Sequence, residues 1–124
     1  MRASPRFAVV ALTAALQSAP ALAQALPCLE CRALIEFGDC DSAATPPKGS
    51  ISVVGTVVRV ERMQCGTVGL TVDVKRSSLS LLPERVKIDV GQCLVWRGKA
   101  GDNINAMVVE TPSENGAYQA RTCN

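Results

Sequence analysis

The stretch ISVVGTVVRVE, residues 51–61, decides the fold of this chain. Its β-branched residues resist helix and fill a pleated surface well. The first half is apolar on both faces, and the pattern then alternates at Val58, Arg59, Val60 and Glu61. Gly55 falls in the middle, where a bulge or bend would relieve the close approach of a neighbouring strand. One long, bent strand is predicted.

Working outward, residues 67–75 alternate without interruption. Val68, Leu70, Val72 and Val74 share one face, and Thr71, Asp73 and Lys75 share the other. That is the period of a strand with one face in a core and the other in water. Further strands are predicted over 86–90, 93–97, 104–110 and 117–122. Gly91, the run GKAGDN (98–103) and residues 111–116 supply the turns between them. Residues 77–85 read as a helical turn or a long loop ahead of Pro83.

Five or six short strands with turn signals about every ten residues suit a closed barrel or sandwich. A parallel sheet would need helical crossovers that this chain has no room for. The long bent first strand favours the OB-type barrel. The fold class expected is all-β, a small five- to six-stranded OB-like barrel.

Upstream of the barrel the chain changes character. Arg2 and Arg6 precede an apolar run, and the small residues Ala21-Leu22-Ala23 follow it. This is the form of a secretory signal peptide over residues 1–23, cut before Gln24. The run is shorter than the ~20 apolar residues a membrane span needs, and no membrane span is expected. Proline at position 27 beside Cys28 argues against a lipoprotein signal. Residues 24–49 then form a cysteine-rich N-terminal segment with a Pro46-Pro47 connector, and residues 50–124 form the barrel. Within CLECRALIEFGDC (28–40), Leu29, Ala33 and Phe37, with Leu34 alongside, suit a short helix or coiled segment ended by Gly38.

Of the 124 residues, 13 are basic and 11 acidic. Without Arg2 and Arg6 the mature chain would hold 11 of each sign, so charge gives no argument for nucleic acid or an anionic surface as partner. Only Phe37, Trp96 and Tyr118 are aromatic in that part. An OB site for single-stranded nucleic acid or sugar rests on stacked rings, and Trp96 reads as core or barrel rim. No nucleic-acid partner is expected.

The chain has six cysteines and no histidine. The absence of imidazole removes most hydrolase triads and His-based metal sites. Ser77, Ser78 and Ser80 lie in no nucleophile elbow. Lys75, Arg76, Arg85 and Lys87 read as a solvated face, and Glu36, Asp39 and Asp41 as a solvated turn without the oxygen-rich spacing of a calcium loop. The pair Cys28–Leu29–Glu30–Cys31 has the spacing of a redox or zinc motif. A redox pair needs a strand before it and a helix after it, and a zinc cage needs a second ligand pair. In an exported chain the six cysteines, Cys28, Cys31, Cys40, Cys65, Cys93 and Cys123, read as a disulfide framework. Six cysteines allow 15 pairings, and spacing does not choose among them. No catalytic, cofactor-binding or metal-binding residue is assigned, and no cofactor is implied. The alternative is a periplasmic thiol-disulfide or metal-binding protein using Cys28 and Cys31.

The segment IDVGQCLVWRGKAGD (88–102), together with the layout of three early and three late cysteines, resembles netrin-type modules and tissue inhibitors of metalloproteinases. The resemblance implies a secreted OB barrel in which each early cysteine bonds a later one, clamping the N-terminal segment across the barrel. It implies a partner surface made of that segment and the loop after Trp96, with Leu29, Glu30, Lys99, Asp102 and Asn103 as its candidates. In the inhibitors the first cysteine of a Cys-x-Cys start is the mature N-terminus and chelates the protease zinc. Here the spacing is Cys-x-x-Cys and residues 24–27 precede it, so that mechanism is not expected at Cys28. The function implied is that of a non-enzymatic, exported binding or accessory module, inhibitor-like, whose partner is another exported or envelope protein.

Overall fold

The computed structural model describes residues 28–41 and 45–123, and the predicted signal peptide with its cleavage site lies outside them. Seven strands follow in chain order: β1 (Ile35–Glu36), β2 (Ser50–Arg62), β3 (Val68–Ser77), β4 (Arg85–Val90), β5 (Leu94–Val95), β6 (Asn103–Val109) and β7 (Tyr118–Arg121). Five of them close a barrel in the order β2-β3-β4-β7-β6. Neighbours are antiparallel except β4 and β7, which pair in parallel through Ile88 with Tyr118 and Asp89 with Gln119. The fold is the OB-like barrel expected from the sequence.

Its geometry follows from β2. This strand is long enough to pair with β6 through its first half and with β3 along most of its length, so one strand belongs to both sides of the closure. Closing five strands requires that strand to bend. The β2–β3 register slips between Val54 and Gly55 and again between Val57 and Arg59. Gly55 is required at the first slip, because a Cβ there would run into the Asp73 carbonyl oxygen and the Val72 side chain. The glycine therefore lets two backbones touch where the sheet folds over.

The strand alternation delivers one core. Val53, Val57, Leu70, Val72, Ile88, Val90, Ile104 and Val108 are fully buried inside the barrel. Phe37 from the N-terminal segment and Trp96 from the loop after β5 join the same cluster. Trp96 is 7% exposed, which makes it core and not a stacking platform.

Two expectations need correction. The segment 28–40 is not helical; it bends at Arg32 and Ala33 and runs as β1, and Leu29 and Leu34 face solvent. Backbone pairing explains this: the Ile35 and Phe37 N–H groups donate to the Cys93 and Val95 carbonyls at 2.9 and 2.8 Å, so these groups are taken by another strand and not by a helical turn. The strand predicted over 93–97 is confined to Leu94–Val95. It lies outside the barrel, paired in parallel with β1. Residues 78–84 form turns, with the Leu82 N–H donating to the Leu79 carbonyl at 3.3 Å.

Candidate functional site

The N-terminal segment is fastened to the barrel along its whole described length. Cys28 bonds Cys65 in the β2–β3 turn, Cys31 bonds Cys93 in the turn after β4, and Cys40 bonds Cys123 beyond β7. The Cα separations of 5.4, 5.3 and 5.4 Å are those of ordinary disulfides. Each early cysteine is joined to a later one, in chain order, and Cys28 and Cys31 are not joined to each other. No cysteine is free among the described residues. Intramolecular disulfides in this number fit an oxidising compartment.

Backbone bonds complete the fastening. After β1 pairs with β5, the chain passes to β6, where the Asn105 N–H donates to the Gly38 carbonyl and the Cys40 N–H to the Asn105 carbonyl, both at 2.9 Å. Gly38 stands between these two pairings at φ +96°, a conformation that favours glycine. A Cβ on it would lie 2.9 Å from Ile104 Cγ1 and 3.0 Å from the Trp96 ring. At the other end the Leu29 N–H donates to Gln92 Oε1 at 2.6 Å.

Held in this way, the segment turns Phe37 inward and leaves apolar side chains outside. Leu29 is 71% exposed, Leu34 63% and Ile35 48%. An exposed leucine on its own is unremarkable. Three exposed apolar side chains on one short covalently fixed segment cost little additional ordering entropy when a partner covers them.

The five candidate residues fall into two groups. Leu29 and Glu30 belong to the stretch between Cys28 and Cys31, next to Gln92. Lys99, Asp102 and Asn103 belong to the loop after Trp96. Asp102 organises that loop: its Oδ2 accepts from the Lys99 N–H at 3.0 Å, and its own N–H donates to the Lys99 carbonyl at 3.1 Å. Asn103 Oδ1 accepts from the Thr56 hydroxyl at 3.1 Å. A cleft of about 210 Å³ separates this loop from the N-terminal segment, and the residues across it are Glu36 to Asp39, not Leu29 or Glu30. Gly98 lets the loop backbone pack against the Trp96 ring, which a Cβ there would meet at 2.5 Å. Glu36 holds Arg97 across one end at 3.1 Å. Sequence reasoning read Leu34 as one of the apolar residues of a short helix or coiled segment and did not single out Ile35; their exposure follows from the pairing of β1 with β5, which no local pattern encodes.

No three acidic or cysteine side chains are grouped as a metal site would require, among the described residues. No described helix is long and apolar enough to cross a membrane. Comparison of the chain with protein-family models, with curated proteins and with solved structures gives no match.

Proposed function

We propose that this protein is an exported, periplasmic or secreted, non-enzymatic binding module that engages another exported or envelope protein through its clamped N-terminal segment, in the manner of an inhibitor or accessory subunit. The observation that carries this reading is the conjunction of three disulfides with the exposure of Leu29, Leu34 and Ile35. Rigid apolar anchors beside a polar loop are the ingredients of an interface hot spot with its rim. The loop bearing Lys99, Asp102 and Asn103 supplies the polar rim, and its resemblance to netrin-type and metalloproteinase-inhibitor modules favours occlusion of a partner over turnover.

The test is cross-linking of the oxidised protein in its own compartment, comparing the unaltered chain with Leu34→Asp and with Leu29→Asp/Ile35→Asp. Specific cross-links are expected from the unaltered protein and at least a tenfold loss from either variant, with melting temperatures unchanged because these side chains are outside the core. Turnover of a substrate by the purified protein, or cross-links indifferent to all three substitutions, would overturn the proposal.

A further inference from the structure

A second surface lies on the outer face of β2, β3 and β4. Register places two rows of side chains there. Thr71 pairs with Arg59 on one side and Lys87 on the other, and Gly69 pairs with Glu61 on one side and Asp89 on the other. One row is therefore cationic with a hydroxyl at its centre. The next is anionic with no side chain at its centre. The rows are two residues apart along β3, which is about 7 Å.

The missing side chain at Gly69 makes the face concave. A hollow of about 200 Å³ opens there, with these charged residues around it and Asn115 on the β6–β7 loop at one rim. Met63, 45% exposed, leans over it, its methyl group 3.6 Å from where a Gly69 Cβ would be. Gly69 has no positive φ and no clash that requires glycine, so its smallness leaves space and is not demanded by the strand. The charges around the hollow are only lightly engaged. Arg59 and Glu61 form a 3.1 Å pair with side chains 72% and 60% exposed, and Asp89 accepts from Gln119 at 3.4 Å. Exposed pairs of this kind contribute little, so a ligand carrying both charges can replace them.

We propose that this hollow binds a short zwitterionic peptide. Its ammonium sits over Gly69 between Glu61 and Asp89, and its carboxylate lies at the Thr71 hydroxyl between Arg59 and Lys87. Consecutive Cα atoms are about 3.8 Å apart, so the two ends of an extended dipeptide lie roughly 6 Å apart, which matches the row spacing; the ends of a single amino acid do not reach. The pliable Met63 beside the hollow accepts varied small side chains.

Titration of the oxidised protein with Ala-Ala, followed by amide NMR, tests this. Saturable shifts centred on Gly69, Thr71 and Asp89 are expected. N-acetyl-Ala-Ala, Ala-Ala-amide and glycine are each expected to bind at least tenfold more weakly. Gly69→Val, which fills the hollow with a good strand residue, is expected to abolish binding without lowering the melting temperature, and Asp89→Asn to weaken it about tenfold. Should a variant fail to fold, the comparison of capped and free peptides on the unaltered protein decides. No saturable shifts, or equal binding by a capped peptide or by glycine, would overturn the proposal.

Discussion

Cys65 and Cys93 are the two non-glycine residues with positive φ among those described, at 61° and 73°. An L-residue in the left-handed region costs about 1 to 2 kcal/mol, and turns that need it ordinarily use glycine or asparagine. Each of these cysteines stands there because its sulfur is needed: both are the barrel-side ends of bonds to the N-terminal segment. If so, removing the bond should make the cysteine position prefer glycine. Cys28→Ala/Cys65→Gly is expected to be more stable than Cys28→Ala/Cys65→Ala by about 0.5 to 1 kcal/mol, the relief of strain less glycine's extra freedom in the unfolded chain. Urea denaturation of the two variants measures it, and equal midpoints would contradict it. Asp73 offers a second residue-scale check. Arg85 Nε donates to its Oδ1 at 2.7 Å, and that hydrogen bond, ahead of the accompanying charge attraction, holds the Asp73 carboxyl below its ordinary value. With the folded value depressed, the pair contributes stability above the unfolded value, and the contribution is lost as pH falls through the folded one. Carboxyl NMR should find Asp73 titrating below the ordinary aspartate range and returning towards it in Arg85→Gln. An unchanged inflection in that variant would mean that the contact is not formed in solution.

Among the elements, β2 organises the rest, and its bend is concentrated at Gly55. Gly55→Ala would press a methyl group into the Asp73 carbonyl and the Val72 side chain, a form of overpacking that costs roughly 1 to 3 kcal/mol. Gly69→Ala on the neighbouring strand, with only ordinary contacts to meet, is expected to be neutral or better. Thermal melts of the two variants separate a required glycine from an unrequired one; equal effects would deny the bend its cause. The same strand shows what a sequence can reveal. Its β-branched run, the glycine in its middle and the faultless alternation of 68–74 are local signals, and they predicted β2, the bulge and the buried face of β3. The path of residues 28–40 was not legible because it is decided elsewhere. Leu29, Ala33 and Phe37 have helical spacing, but the Ile35 and Phe37 N–H groups are claimed by the Cys93 and Val95 carbonyls, about 60 residues away in sequence. The parallel contact of β4 with β7 was hidden for the same reason: it involves only two residue pairs and depends on barrel closure.

At the scale of the whole molecule, the disulfides span 37, 62 and 83 residues and all start from one thirteen-residue segment. A domain of about 100 residues buries about two thirds of the surface its unfolded chain exposes, which makes a modest core, and each bond adds roughly 2 to 4 kcal/mol by restricting the unfolded chain. The bonds at Cys28 and Cys31 tie the start of the segment to the β2–β3 turn and to the turn after β4, where Leu29, Leu34 and Ile35 stay exposed. The loop at 98–103 was legible as a turn from its glycines, whereas the cleft between it and Glu36 to Asp39 exists only after the segment is folded back. The account rests on that fold-back, and non-reducing peptide mapping tests it directly. Cleavage after Glu30 separates Cys28 from Cys31, and cleavage after Arg32 separates Cys31 from Cys40. The expected cross-linked peptides join Cys28 to Cys65, Cys31 to Cys93 and Cys40 to Cys123, with no thiol left to alkylate; a Cys28–Cys31 bond, or free thiols at that pair, would contradict the clamped segment and the binding surface built upon it.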